Sequence, residues 1–448
     1  MSPAPPDDAS RPGSAPLAAP AGEPPPSSRY AHYVLGVLTL MYVFNYLDRW
    51  VLSILVEDIK AEFGSSDALM GFLLGPGFAV SYTLLGLPVA RLADRHSRRV
   101  ILSIAFVTWS AMTAVSGAAR SMFELAAARI GVGVGEAGGT APAHSVLADY
   151  FPPERRTFAF GVFQQGVSLG QLAGLLAGGW LATAFGWREA FYALGVAGVA
   201  GAALLFFTVR EPVRGRFDGL AAHGADADAT PGIVEVFRYL WQRRSFRGIA
   251  IGAGIASFGG TGFGVWMPVL LARVLGVPKL EIGLEFGVAA AASAGVGAIG
   301  AGWLTDRLVR RDVRWLMWMP AISVATSLPF LLGQSLAPTA DVAIAMAIPS
   351  GLLGAGWAPA AYAAVQQLAP PRMRALAASV IVFFITLLGQ GLGPQAVGWL
   401  NDAFAPRFGD AAIRASMCAV LASYVVAFAA LVAGARSLPR DLAAARRT

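Results

Sequence analysis

Apolar stretches long enough to cross a lipid bilayer follow one another along most of this chain, and they constrain its fold more than any other feature. A bilayer-spanning helix needs about 20 predominantly apolar residues. The chain is 56% hydrophobic and 14% charged, whereas soluble domains are about 25% charged. Such a chain cannot bury its apolar surface in one water-soluble core, so the sequence predicts an all-α polytopic membrane protein.

Twelve of these stretches have spanning length. An even number of spans places both ends of the chain on the same side of the membrane. The predicted spans are residues 33–56, 68–90, 99–118, 122–148, 157–184, 189–209, 246–273, 282–304, 314–334, 341–367, 374–400 and 412–435.

The two halves of the chain resemble each other. "ARLADRHSRR" (90–99) shares its Leu, its Asp-Arg pair and its Arg-Arg pair with "GWLTDRLVRR" (302–311), about half the chain away. Two similar six-helix bundles form a transporter architecture, with a site expected between them near the middle of the membrane. The predicted domains are a disordered N-terminal tail (1–30), an N-terminal bundle (31–209), a cytoplasmic linker (210–245), a C-terminal bundle (246–436) and a C-terminal tail (437–448).

Basic residues are distributed unevenly between the predicted loops. Most of the 34 Lys and Arg residues lie in the tails, the linker and the loops after the even-numbered spans. Because Lys and Arg favour the cytoplasmic side, both termini and the linker are predicted to be cytoplasmic, in a plasma (inner) membrane. This placement also explains the net charge of +7 without a nucleic-acid partner.

Several motifs resemble a known transporter family. The repeated Leu-x-Asp-Arg-x-x-Arg-Arg loop resembles the signature of the major facilitator superfamily between its helices 2 and 3 and between helices 8 and 9. Within it, "NYLDR" (45–49), "RIGVGVGEAGGTAP" (129–142) and "LADYFPPERR" (147–156) resemble the Spinster-like branch. The resemblance implies alternating access and amphipathic substrates such as lysophospholipids or sphingolipids. It also implies that Asp48, Arg129 and Glu136 couple transport to protons.

The charged residues inside the spans are placed to interact. With a rise of about 1.5 Å per residue, Asp48 in span 1 and Arg129 in span 4 both lie roughly 10 Å from the outer surface. Glu136 lies nearly two turns deeper on the same face as Arg129. Arg cannot lose its charge, whereas a carboxylate can pair or take a proton. Asp48 and Glu136 are therefore predicted to compete for Arg129, with Arg49 and His144 as secondary candidates, although a static buried ion pair remains open.

The twin loops and the other polar residues within the spans give further candidates. Asp94 and its second copy can cap a helix end in the other half, and the arginines can pair with nearby carboxylates, which would make the loops a conformational latch. The predicted latch residues are Asp94, Arg95, Arg98, Arg99, Asp306, Arg307, Arg310 and Arg311. The predicted cavity residues are Asn45, Tyr46, Tyr82, Phe163, Gln164, Gln171, Trp266, Trp357, Tyr362 and Gln390.

Several classes of protein do not fit the sequence. The single Cys418 allows no intramolecular disulfide, and the sequence has no Walker phosphate loop and no metal-ligand spacing. We expect no cofactor, no enzymatic activity and a monomer whose partners are a small-molecule or lipid substrate, protons and membrane lipids. An organic-anion or sugar-acid symporter, a multidrug efflux carrier and a non-transporting receptor or scaffold remain open as alternatives.

Overall fold

The structure, a computed structural model, describes residues 28–217, 232–370 and 373–445, without the side chains of Leu87, Ala90, Asp94, Thr157 and Ala375. The regular secondary structure in these ranges is helical and forms twelve long segments, several of them interrupted. They are α1 (Ser28–Phe63), α2 (Asp67–Leu74 and Pro76–Arg95), α3 (Arg98–Ala118), α4 (Met122–Glu136 and Thr140–Tyr150), α5 (Pro153–Gln164 and Gly166–Phe185), α6 (Trp187–Thr208), α7 (Arg244–Arg273), α8 (Lys279–Glu281, Ile282–Gly287 and Val288–Val309), α9 (Trp315–Leu336), α10 (Ala340–Gly354 and Trp357–Leu368), α11 (Arg374–Phe384, Ile385–Leu392 and Gly393–Phe408) and α12 (Ala412–Leu421 and Ser423–Ala445).

Length and apolar composition support membrane spanning for most of these segments. Within the described ranges, nine helical stretches are long and apolar enough to cross a membrane, and one of them, Leu376–Ala445, contains most of α11 and all of α12. α1 and α4 fall outside these nine. Asp48 and Arg49 lower the hydropathy of α1, and α4 is interrupted after Glu136.

The interruptions follow from local sequence. Gly75 and Pro76 divide α2, because proline lacks a backbone N–H and cannot continue the hydrogen-bonding pattern of the preceding turn. A Cβ atom at Gly75 would lie 2.3 Å from the carbonyl oxygen of Gly391, so glycine permits close contact between α2 and α11. α8 and α11 each contain a π-helical turn, a feature often found at functional positions.

Long contacts between pairs of helices hold each half together. α1 lies along α5 and α3 lies along α6 in the N-terminal half, whereas α7 lies along α12 in the C-terminal half. The predicted linker contains a helix, Ile233–Trp241, which we call the linker helix. The predicted C-terminal tail is largely helical, since α12 continues to Ala445. Most of the predicted N-terminal tail lies outside the described residues.

Ion pairs join the two halves at one end of the molecule. We call the end where α1 begins and α12 ends the terminal face, and the other end the opposite face. At the opposite face, Arg273 of α7 lies 2.6 Å from Glu57 and 2.6 Å from Asp67, and Lys279 pairs with Asp58. Asp402 of α11 accepts hydrogen bonds from the first backbone N–H groups of α2. These contacts close the opposite face.

Arg273→Gln is expected to favour opening of the opposite face. The Arg273 side chain is 10% exposed and pairs with two carboxylates of the other half. Its loss should therefore shift the equilibrium between the closed and the open opposite face by about 1 kcal/mol or more, which is about fivefold. Spin labels at Ala61 and Ala403, in a Cys418→Ser background, would measure the distance between the halves. Arg407→Gln, an exposed position on α11, is the matched control. An unchanged distance distribution in Arg273→Gln would contradict the assignment of these ion pairs as a closure.

Candidate functional site

Arg49 lies at the centre of a polar cluster where α1, α4 and α11 meet. Its Nη2 lies 2.6 Å and its Nε 3.0 Å from Oε2 of Glu136 on α4. Its Nη1 donates to Oε1 of Gln390 on α11 at 3.0 Å, and Nη2 also donates to Oδ1 of Asn45 at 3.2 Å. One guanidinium thus binds an acid of the N-terminal half and an amide of the C-terminal half.

Aromatic rings surround the same guanidinium. Its Cζ lies 4.7 Å from the ring centroid of Tyr46, 4.3 Å from that of Phe78 and 5.5 Å from that of Tyr82. Arginine above an aromatic face gains cation–π stabilisation, most of all when desolvated. The rings therefore hold Arg49 in place while 16% of its side chain remains exposed.

Glu136 is fully buried at the last residue of the first part of α4. Its Oε2 accepts both hydrogen bonds from Arg49, whereas no described residue lies within hydrogen-bond geometry of its Oε1. A buried carboxylate with a counter-ion on one oxygen only depends on that counter-ion for its charge. Loss of the contact with Arg49 would leave protonation as the simplest way to neutralise Glu136.

Arg129 contacts α1 through the backbone. Its Nη2 donates to the carbonyl oxygen of Asp48 at 3.1 Å, and its Nε and Nη1 are buried without a hydrogen-bond partner in the described part of the chain. We expected Arg129 to be the partner of Glu136, but Arg49 occupies that position. The reason is that the side chain of Arg49, one residue after Asp48, projects from α1 toward α4 and binds the carboxylate of Glu136 directly.

Asp48 completes the cluster. It is 2% exposed, and its charged neighbours are Glu136, Arg129 and Arg49. With both carboxylates ionised, two positive and two negative charges balance, which makes the cluster tolerable in an apolar surrounding. A proton that binds to this cluster changes its net charge. A group that competes with the carboxylates for one of the arginines therefore also affects where that proton binds.

A cavity of about 460 Å³ lies between the two halves beside this cluster. Its walls come from α1, α2, α4, α5 and all six helices of the C-terminal half. Arg49 and Arg129 contribute its charged groups, and its described lining contains no carboxylate. Four of the residues predicted to line a cavity do so here: Tyr46, Gln171, Trp357 and Gln390.

The other predicted cavity residues lie elsewhere. Phe163 stacks on Tyr42 at 4.3 Å, and Trp266 donates to the carbonyl oxygen of Pro394 at 2.9 Å; both are fully buried, so packing replaces the predicted exposure to a cavity. Three more residues lie outside the lining of this cavity. Asn45 binds Arg49, Gln164 is exposed, and Tyr362 is partly buried against the core.

A second cavity, of about 670 Å³, lies toward the terminal face, between α2, α4, α11 and the linker helix. Tyr82 and His144 line it. The His144 ring contacts Phe160 and Phe163 edge-on, each at 5.2 Å between ring centroids. His144 therefore lies away from the charged cluster of Arg49.

The predicted latch residues differ in their surroundings. Arg98 is 3% exposed and binds Asp149, Ser145 and Glu211, whereas Arg95 is exposed and the Arg99 guanidinium lies 5.1 Å from the ring of Phe206. The side chain of Asp94 lies outside the described residues. The four residues of the second copy are exposed: Asp306, Arg307, Arg310 and Arg311.

The contacts of Arg98 also fix the start of the linker. Partial burial opposes ionisation of Glu211, but hydrogen bonds from the Arg99 amide, Arg98 and Ser97 outweigh it and lower the pKa of Glu211. The Glu211 carboxylate therefore remains charged at neutral pH and anchors the linker to the first residues of α3.

Sequence reasoning missed other residues of the 460 Å³ cavity. Phe78 could not be predicted to line the cavity, because the sequence does not indicate whether an aromatic residue in an apolar helix faces a cavity or the core. Gln334 of α9 donates to Ser350 of α10 at 2.8 Å, and both line the cavity. Their signal was a buried polar side chain in an apolar span, as for Gln390. Among the described residues, no His, Cys, Asp and Glu side chains are grouped to hold a metal ion.

Comparison with known proteins identifies relatives over most of the chain. A family model described as "Major Facilitator Superfamily" matches residues 38–394. A Mycolicibacterium smegmatis protein named "MFS-type efflux pump" is 34% identical over 395 residues, covering 88% of this chain and 90% of that protein. The Mus musculus "Sphingosine-1-phosphate transporter SPNS2" is 28% identical over 386 residues, covering 82% of this chain and 69% of that protein.

A solved structure has a similar fold. It is the crystal structure of a bacterial homolog to the human lysosomal transporter Spinster, in an inward-facing and unoccupied conformation. It matches with a TM-score of 0.83 and 30% sequence identity, covering 93% of this chain and 99% of that chain.

Proposed function

The chain belongs to the major facilitator superfamily of membrane transporters, and we propose that it is a proton-coupled secondary transporter of an amphipathic, lipid-like substrate. The substrate class is a lysophospholipid or sphingolipid type of molecule with an anionic head group. The observation that carries the proposal is the position of Arg49. It lies in the wall of a cavity between the halves and is bound by Glu136 from one half and Gln390 from the other.

Proton coupling follows from competition for Arg49. An anionic group entering the 460 Å³ cavity can bind the exposed part of the guanidinium and draw it away from Glu136. Glu136 is then a buried carboxylate without its counter-ion, which favours its protonated form. Substrate and proton thus bind together. Because a ligand shifts an equilibrium only through differential binding to two states, this linkage supplies the difference that alternating access requires.

The lining of the cavity supports the choice of substrate. Its residues are mainly apolar and aromatic, which suits the apolar part of an amphipathic substrate next to its head group, and its two arginines suit a phosphate or carboxylate. Spinster-like relatives, one of them named for sphingosine 1-phosphate, agree with this chemistry.

A second candidate is efflux of apolar compounds, which the apolar lining of the cavity would suit; one relative is named an efflux pump. Cationic drugs fit less well, because the described lining offers no carboxylate to bind them. A sugar acid would find the arginines but would leave most of the apolar wall without a partner.

Transport by the purified protein in liposomes separates these candidates. Sphingosine 1-phosphate, D-galactonate and the cation ethidium would each be added with a pH-sensitive dye inside. We expect proton movement with sphingosine 1-phosphate, in the presence of protein only. Movement with D-galactonate alone would replace the lipid-like substrate by a sugar acid, and ethidium alone would indicate drug efflux. No proton or solute movement with any compound would contradict a proton-coupled transporter.

The orientation in the membrane is also a proposal. Both termini and the linker are proposed to be cytoplasmic, in the plasma membrane, because of the distribution of Lys and Arg. In a Cys418→Ser background, Ala225→Cys should react with a membrane-impermeant thiol reagent only after the cells are opened. Ala225 lies outside the described residues and within the predicted cytoplasmic linker. Labelling of intact cells would reverse the orientation.

A further inference from the structure

The second cavity is larger than the 460 Å³ cavity, and its walls are more uniformly apolar. It contains about 670 Å³, within the range of small-molecule sites. Its walls include Gly86 of α2, Ala141 of α4 and Val380 and Phe383 of α11. The lining contains no Asp, Glu, Lys or Arg among the described residues. An apolar chain is the kind of ligand that such a wall would bind.

The linker helix contributes to this wall although it is not one of the twelve long segments. Val236 and Leu240 are fully buried against the C-terminal half. On another face, Val234 is 66% exposed and Phe237 is 39% exposed, and both line the cavity. A helix that is apolar on more than one face has a second apolar contact to make. The cavity provides the place for that contact.

The cavity begins next to the charged cluster. Tyr82 lines it and also lies 5.5 Å from the Arg49 guanidinium. The π-helical turn of α11 carries Thr386, which lines this cavity, and Gln390, which binds Arg49. These two residues are four apart and lie within about one turn of this helix. A molecule whose head binds Arg49 can therefore extend its chain into this cavity.

We propose that the second cavity is the binding site for the alkyl chain of the substrate, with the linker helix as one wall. This inference rests on the proposed function, because it requires an anionic head group at Arg49. The occupant is the single chain of the transported amphiphile. A bilayer lipid in the same space is an alternative that the test below distinguishes.

The test uses lysophosphatidic acids with octanoyl, dodecanoyl and palmitoyl chains, binding to the protein in lipid nanodiscs. Gly86→Phe would fill the cavity, since a Cβ at Gly86 would meet no described atom within 4 Å apart from its own chain neighbours and helix backbone. Gly300→Phe is the matched control, because Gly300 of α8 has equally open space and lines neither cavity. Partition of each probe into the nanodisc lipid is the same for both variants, so the ratio of their affinities reports the cavity.

We expect affinity to rise by about two- to fourfold per methylene in Gly300→Phe, until the cavity is full. In Gly86→Phe, the gain from octanoyl to palmitoyl should be smaller by about tenfold or more. Val234→Asp, at a position that is 66% exposed, should also weaken binding of the palmitoyl probe more than that of the octanoyl probe. Equal gains in affinity from octanoyl to palmitoyl in all variants would overturn the assignment of this cavity to the alkyl chain of the substrate, and would indicate that a bilayer lipid occupies it. If no probe binds the wild-type protein, the proposed function itself fails.

Discussion

Glu136→Gln is expected to abolish proton-driven accumulation of substrate while leaving substrate binding intact. Glutamine has the size of the protonated glutamate and cannot release a proton. The buried site should accept it, because Glu136 Oε1 has no partner among the described residues and the Gln side-chain oxygen can still accept from Arg49. Without a carboxylate that alternates between Arg49 and a proton, transport loses its link to the proton gradient.

The measurement is uptake into proteoliposomes with and without an imposed pH gradient. The accumulation ratio should fall to about one, whereas exchange of substrate down its own gradient continues. Glu281→Gln, an exposed position at the start of α8, is the matched control and should behave like the wild type. Asp48→Asn should resemble Glu136→Gln, since Asp48 is the other buried carboxylate of the cluster. Accumulation of normal size and pH dependence in Glu136→Gln would make Glu136 a structural partner only.

Arg49→Ala is expected to damage both stability and transport. Removal of one partner from a buried ion pair costs about 3–5 kcal/mol, because the other charge remains buried without a counter-ion. Here that charge is Glu136, which is fully buried. Anionic substrates should also lose their binding group. The melting temperature of the purified protein and its substrate affinity measure the two effects separately.

The double variant Arg49→Ala/Glu136→Gln separates structure from function. It leaves no unpaired charge at this position, so its melting temperature should recover most of the loss in Arg49→Ala. Transport should remain absent. Arg49→Lys is the conservative control: it retains the positive charge but cannot bind Glu136, Gln390 and Asn45 together as the guanidinium does. A double variant with restored transport would show that Arg49 only balances the charge of Glu136.

The sequence was sufficient to predict the helical membrane architecture. Apolar length predicts spans, and the repeated Asp-Arg loop predicts two similar halves. Both predictions rest on local chemistry that every segment carries by itself. The twelve predicted spans agree with the segments of the structure to within a few residues at most ends, and the fold of the Spinster homolog supports the two-bundle arrangement.

The partners within the charged cluster could not be predicted from the sequence. Helical spacing places Arg129 and Glu136 on one face of α4 and gives their depths, but the pairing depends on how α1 is rotated against α4. That rotation is set by packing contacts far apart in the chain. A one-residue difference between Asp48 and Arg49 changes the direction of the side chain by about 100°. The structure therefore places Arg49, and not Arg129, against the carboxylate of Glu136.

The cavity residues show the same limit. Polar residues such as Gln171 and Gln390 could be chosen because a buried amide in an apolar span needs a partner. Aromatic residues could not be divided into cavity residues and core residues. Trp357 lines the cavity and Trp266 is packed in the core, although both lie in similar apolar stretches of the sequence.

Proton uptake on substrate binding tests the shared role of Arg49 most directly. Lysophosphatidic acid would be added to the purified protein in weak buffer near neutral pH, and the protons taken up per substrate bound would be measured by a pH dye. Competition for Arg49 predicts net proton uptake by the wild type and none by Glu136→Gln, although the variant still binds the substrate. Binding without proton uptake by the wild type, or equal uptake by Glu136→Gln, would contradict it.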